Sequence, residues 1–543
     1  MMQAIKTDVA IERPALAKVA QLHPTLNLGA FVEATRTVPD TAIALIDLTG
    51  GEPVTLTYAD LEHEIRLCVG AFKALGVKRG TRFALATPNC RLFLVGFLAL
   101  MRLGAIPVFI NSHLSIDAVR HIVVDSGSEG VLADLEDAPP LAALASLPSL
   151  RWLLSRNGSG AGAWKSWPDL FGAAKPDATV EPMRFDDQAF QPYTAGSTGM
   201  PKGIVLTHGG MLWGIEHSQM YYPPPANERG IVAAPMFHKN AMRGVIKPML
   251  RGGCSVVILP DFEPRQFLET MSKYRVTSSG GVPAMYADIL REEDLIQSLD
   301  FSALHLLSMG SSTVPAELSA RLAKAFPNAG VKESYGMTEV GGPTRALADV
   351  PTPLGSVGVI APEYEAKLID DAGNESDVAG ELHLRAPYVL KAYAGLPELT
   401  AARIYDGWLR TGDKFRKDEN GFLYFIGRSD DMFSCGGENI YPKEVENLIL
   451  KLPDVSDAIV VPLPHETKSF APTAMVLPRP GRKLEPKTIQ DFCAANGPAF
   501  AIPRAVLIVN EIPRTSAGKP DRKAAQALMS QTFGTVKSRS RKG

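Results

Sequence analysis

Tyr193-Thr-Ala-Gly-Ser-Thr-Gly-Met-Pro-Lys-Gly203 sets three glycines and three hydroxyl residues within eleven positions, directly ahead of the apolar run 204–206. Glycines let backbone N–H groups crowd around phosphate oxygens, hydroxyls donate further bonds, and a lysine adds a point charge. Thr194, Ser197, Thr198, Gly199 and Lys202 are therefore candidate phosphate contacts. The stretch is not a Walker A loop. Five residues separate Gly196 from Lys202, and Gly203 stands where that loop needs Ser or Thr.

Outward from this loop, short β-branched runs alternate with amphipathic helical stretches over the first 340 residues. Residues 82–87, 105–110, 130–134, 230–234 and 254–260 read as strands; residues 58–75 and 315–326 read as helices. Such alternation implies α/β architecture, with parallel sheets doubly wound by helices. Residues 156–163 are Gly/Ser-rich and read as a surface loop. Beyond about residue 345 the segments become shorter, β-rich and separated by turns, which suggests a β-barrel-like subdomain. A polar turn after Gly427-Arg428 then leads into a compact α+β pattern.

The chain has 543 residues, 45% hydrophobic and 21% charged, with 56 Lys plus Arg against 58 Asp plus Glu. That length needs at least two domains, and the near-neutral balance gives no polybasic field for nucleic acid. Residues 429–543 carry 16 basic and 12 acidic residues, so the C-terminal part is mildly basic and the body mildly acidic. The five cysteines (Cys68, Cys90, Cys254, Cys435, Cys493) are scattered, without the spacing of a zinc site or a disulfide framework. Residues 1–14 carry charges where a secretory leader needs an apolar run. The longest apolar stretch, 92–101, is about half a membrane span and reads as a buried helix. A cytoplasmic protein without transmembrane segment is expected.

Further motifs follow in order: Pro235-Met-Phe-His238, Ser308-Met-Gly-Ser-Ser312, Tyr335-Gly-Met-Thr-Glu339, Trp408-Leu-Arg-Thr-Gly-Asp413, Gly427-Arg-Ser-Asp-Asp431 and Pro513-Arg-Thr-Ser-Ala-Gly-Lys519. With the loop at 193–203 they resemble, over nearly the whole chain, the adenylate-forming superfamily of acyl-CoA synthetases, peptide-synthetase adenylation domains and luciferases. The resemblance implies that Tyr335 stacks on adenine beside Gly310, Ser311, Ser312 and Gly336. It implies that Thr338 contacts the α-phosphate, that Glu339 holds Mg²⁺, and that Asp413 and Arg428 bind the ribose. Lys519 would be the catalytic lysine of adenylation, offsetting the charge that builds when a carboxylate attacks the α-phosphate. His238 would orient the acid or gate the pantetheine tunnel. Asp430 would be the hinge between an N-terminal domain, 1–428, and a mobile C-terminal lid, 429–543.

By the same resemblance Phe237, His238, Met242, Gly280, Gly281, Met309 and Gly341 belong to the acyl pocket, with Ala241 and Gly342. Four glycines there are expected to remove side-chain volume, leaving a roomy hydrophobic pocket for an aromatic, alicyclic or medium-chain acid. No acidic residue lies in 237–244 to hold an amino group, against an amino-acid substrate. Arg102, Gly436 and Gly437 are expected near CoA. Two family features are missing: the lysine usual before the penultimate strand is Ala501, and the Gly-Glu pair of the first C-terminal hairpin is absent from 464–470. These changes bear on CoA affinity rather than on adenylation. The expected activity is an AMP-forming acid–CoA ligase using ATP, Mg²⁺ and CoA, with a homodimer among the assemblies considered. An acyl-AMP ligase loading a carrier protein and a luciferase-like oxygenase are the alternatives. An ADP-forming phosphotransferase is disfavoured by the missing Walker hydroxyl, and a mere nucleotide binder by the presence of Glu339 and Lys519.

Overall fold

The computed structural model describes residues 13–536 except 159–161, 195–199, 239–240, 311–313, 315, 348–349, 436–437, 467–468 and 516–517. Two parallel sheets form its body. In the first, strands run in the order Ile106–Phe109, Arg82–Ala86, Gly130–Ala133, Trp152–Ser155, Lys165–Ser166, all parallel. In the second, Gly330–Glu333, Leu306–Met309, Ser278–Gly281, Arg229–Val232, Ser255–Ile258 and Ile43–Asp47 are parallel, with Val54–Thr57 antiparallel at the edge. The inner strands are short and mostly buried, as expected where helices cover both faces, whereas the edge strands Lys165–Ser166, Gly330–Glu333 and Val54–Thr57 are largely half-buried or exposed. The expected strands and the helices Tyr58–Ala74 and Ala316–Ala325 are present within a few residues of their expected limits.

Helix Tyr58–Ala74 starts at a capping box, in which Thr57 and Asp60 satisfy each other's backbone N–H. The apolar stretch at 92–101 lies within helix Arg91–Arg102, buried from Phe93 to Arg102. It packs against Tyr58–Ala74 in the largest core cluster. Among the described residues no helix is long and apolar enough to cross a membrane.

The β-rich part is a six-stranded antiparallel sheet built on Ala379–Arg385 and the long strand Trp408–Lys417, and it ends with Leu423–Arg428. From Phe433 on, the chain makes a sheet of its own. Val455–His465 and Ser469–Pro478 form its hairpin, with helices Pro442–Ile449, Pro486–Asn496 and Arg522–Phe533 around it and two separate core clusters.

Candidate active site

The site lies at the C-terminal ends of the parallel strands, where α/β sheets place their ligands. Strand Leu306–Met309 runs into Gly310, whose added Cβ would stand 2.7 Å from the Ser334 hydroxyl. The neighbouring strand Gly330–Glu333 runs into the Tyr335–Glu339 turn, closed by Met337 N–H to Gly341 carbonyl at 3.1 Å and its reverse at 2.9 Å. A Cβ on Gly336 would meet the Gly341 carbonyl at 2.2 Å, so glycine is required for this turn.

Tyr335 donates to Asp413 Oδ2 at 2.6 Å, and its ring meets the edge of Phe415. Asp413 is 5% exposed and also pairs with Arg428 at 3.1 Å. Burial pushes its carboxyl pKa up, against the pull of Arg428 and Tyr335. Arg428 continues to Asp430 at 3.5 Å, which accepts from Arg403 at 2.7 Å. Gly412, at φ +74°, lets both guanidinium groups approach: an added Cβ would be 2.7 Å from Arg403 Nη1. The Tyr393 hydroxyl donates to Glu339 Oε1 at 3.4 Å.

Lys519 reaches this group from the C-terminal part. Its loop is closed by Thr515 N–H to the Lys519 carbonyl (2.7 Å) and Gly518 N–H to the Thr515 carbonyl (2.8 Å), and Gly518 faces Val282 of the body. Burial and the Arg428 charge lower the Lys519 pKa, while Asp413 and Glu339 oppose the shift. Sequence-distant residues 339, 413, 428 and 519 thus share one electrostatic environment. Lys202 opens strand Lys202–Thr207 and pairs with Thr194 across the ladder. Ser197, Thr198, Gly199, Ser311, Ser312, Gly436 and Gly437 lie outside the described residues.

Beside Thr338 is a narrow cavity of about 20 Å³, which Phe237 and Met242 also line. Arg243 completes its wall together with Phe109, Phe190, Pro192, Leu206, Lys247 and Tyr388, six residues that were not foreseen there. A lone Lys247 in the otherwise apolar run 244–250 was the sequence signal for one of them. His238 follows at the turn after Pro235, its N–H bonded to the Pro235 carbonyl at 3.0 Å.

Two expectations need correction. The four glycines do not leave open room. An added Cβ would meet Val245 at Gly280, Tyr286 and Met285 at Gly281, the Tyr388 ring at Gly341, and the Arg243 guanidinium, at 1.6 Å, at Gly342. Met309 is fully buried in the core beneath. At these glycines neighbouring side chains take the space that a Cβ would fill. Arg102 does not face CoA. It is fully buried, with a bidentate pair to Glu62 at 2.7 Å per bond and a third bond to the Gly29 carbonyl.

The chain matches the model of the AMP-binding enzyme family over residues 31–394 and that of the AMP-binding enzyme C-terminal domain over 444–519. It is 32% identical over 470 residues to a feruloyl-CoA synthase of Amycolatopsis sp, covering 86% of this chain and 92% of the relative. It is 30% identical to the indoleacetate–CoA ligase of Aromatoleum aromaticum, covering 86% and 91%. The crystal structure of the anthranilate CoA ligase AuaEII with anthranoyl-AMP superposes with a TM-score of 0.83 at 25% identity, over 92% of this chain and 97% of that one. The matched residues span both the body and the Lys519-bearing part, and the chain belongs to the AMP-binding enzyme family.

Proposed function

We propose that this protein is an ATP-dependent carboxylic acid–CoA ligase of the AMP-forming type. The observation that carries the reading is that Lys519, from the C-terminal part, stands within electrostatic reach of Asp413, Arg428 and Glu339. A nucleotide held there by Tyr335, Asp413 and Arg428 would present its α-phosphate to Thr338, next to the cavity that receives the acid. The acid's carboxylate oxygen attacks the α-phosphorus, the bond to the bridging oxygen breaks, and pyrophosphate leaves. Lys519 offsets the added negative charge in a partly desolvated site. The CoA thiol then attacks the acyl carbon and AMP departs. The aromatic and aliphatic wall of the cavity suits an acid with an apolar body.

Mg²⁺ fits the residues present. The Glu339 carboxylate is held by one long hydrogen bond, from Tyr393. No group of three or more His, Cys, Asp or Glu able to cage an ion occurs among the described residues. Mg²⁺ characteristically takes one or two carboxylates with substrate phosphates and water. When bound it would neutralise charge on the phosphates.

We place the enzyme in the cytoplasm, where its five buried, unpaired cysteines would stay reduced. Asp430 is the proposed pivot for the C-terminal part between the two half-reactions. The test is a carboxylic-acid panel followed for pyrophosphate and AMP, with and without CoA. Acid-dependent pyrophosphate followed by CoA thioester is expected. Acyl-AMP without thioester would replace the ligase reading by carrier loading, and ADP as the product would retire it.

A further inference from the structure

Two cations stand at the proposed acid cavity, and among the described residues neither forms an ion pair with a carboxylate. Lys247 is 4% exposed, and among the described residues neither an acidic group nor a hydrogen-bond partner acts on its ammonium. Its ammonium lies 5.5 Å from the centre of the Phe190 ring, a contact that only partly replaces water. Arg243, one helical turn earlier and half-buried, likewise has no acidic partner among the described residues. Glu363, the carboxylate on this side, is engaged by the Tyr221 hydroxyl at 2.7 Å and by His217 at 3.4 Å. Burial and the Arg243 charge bring the Lys247 pKa down to about 8, which leaves it mostly charged near neutrality.

The backbone supports the same reading. Met242–Ile246 is a π-helical turn, closed by Lys247 N–H to the Met242 carbonyl, that leads into helix Lys247–Arg251. Such turns are rare, cost hydrogen-bond geometry and collect at functional sites. This one puts Met242, Arg243 and Lys247 on the cavity wall together. An unpaired ammonium in an apolar core is expensive to keep, and a methionine would fill the space without that cost.

We infer that Arg243 and Lys247 form a subsite for a second carboxylate of the acid, so that the preferred substrate is a dicarboxylic acid with an apolar body. The inference rests on the ligase reading above. The burial assigns the cations to the distal carboxylate through Lys247. Thr338 and Arg243 are half-exposed, whereas Lys247 is buried, with its ammonium over the Phe190 ring. A reacting carboxylate held by two cations would also lose nucleophilicity towards phosphorus. Acid binding then requires a side chain of the narrow cavity to swing aside. Met242, unbranched, is suited to that.

The experiment compares matched pairs: benzoate with isophthalate and terephthalate, cyclohexanecarboxylate with the 1,4-dicarboxylate, and hexanoate with adipate. Pyrophosphate release is measured for the wild type, Arg243→Met and Lys247→Met, with Lys247→Gln as a second variant should Lys247→Met not fold. The best-used acid should be a diacid, with kcat/KM roughly 10²-fold above its monoacid partner, as expected for a buried charge-assisted pair. The variants should bring that ratio towards one by lowering diacid use. A monoacid as best substrate would overturn the inference and leave the ligase reading standing. An unchanged ratio in the variants, or an equal loss with both classes, would overturn it too, the latter by assigning the cations to the reacting carboxylate. Failure of every acid to release pyrophosphate would remove the ligase reading and this inference with it.

Discussion

Lys519 and Arg102 show how differently two cations can be used in one chain. Lys519 sits in a loop whose turn positions it against Asp413, Arg428 and Glu339, with its pKa lowered by burial and by Arg428. Lys519→Ala should slow acid-dependent pyrophosphate release about 10²–10³-fold, in line with the loss of one preorganised donor. The ammonium is the active form, so a lowered pKa removes activity as pH rises. The alkaline limb of kcat/KM for ATP should therefore fall below 10.5, the ordinary lysine value. A limb at or above that value would argue against this placement. Arg102 is the opposite case, since its guanidinium is wholly consumed inside the core. Arg102→Met leaves the Glu62 carboxylate without its main partner and should destabilise the protein by about 3 kcal/mol in urea titration. The KM for CoA should be unchanged; a rise with stability intact would restore the expectation of a CoA contact.

At the scale of elements, helix His208–Tyr221 carries a pH dependence. His208 opens the helix fully buried, with Nδ1 accepting the Leu28 N–H at 2.9 Å and Nε2 without a partner. Burial lowers its pKa from 6.5 to about 4, so the folded protein holds it neutral. The unfolded chain binds the extra proton first, and stability falls as pH drops below 6.5, reaching its full loss near 4. The loss should be on the order of 3 kcal/mol. Urea midpoints at pH 7, 5.5 and 4.5 read it, and a His208→Gln variant should flatten the curve. An identical slope in that variant would assign the effect elsewhere.

For the whole molecule, the proposed rotation about Asp430 makes a sharper demand. Asp430 lies in the short turn Ser429–Asp431 between Leu423–Arg428 and the C-terminal sheet, and it pairs with Arg403. The C-terminal part is also held to the body by the ion pair of Arg479 with Glu317. Proline fixes φ near −65°, the range of such a turn, and freezes one torsion that the rotation must use. Asp430→Pro should therefore keep acid-dependent pyrophosphate release while lowering CoA-thioester formation at least tenfold. Equal loss of both half-reactions, or of neither, would rule out this pivot.

Much of this was legible in residue order, because some signals are local. Alternating β-branched and amphipathic runs located the parallel strands, and the Gly-rich loop with the YGMTE, WLRTGD and SAGK motifs named Tyr335, Glu339, Asp413 and Lys519. The partners of a side chain are not local. The sequence shows Gly342 as missing volume, but only packing reveals that the Arg243 guanidinium fills it. It shows Arg102 as a helix-end cation, but only the neighbouring helix supplies the half-buried Glu62 that takes its charge. It shows Lys247 as one lysine among apolar residues, while tertiary structure buries it on the wall of the cavity beside Thr338, with no ion pair among the described residues. By itself, then, the sequence determined the fold class, which follows from periodicity, and nominated the adenylation residues through motifs that resemble those of a family. The tertiary structure decided which side chains line the cavity proposed for the acid, because burial and charge balance depend on neighbours distant in the chain.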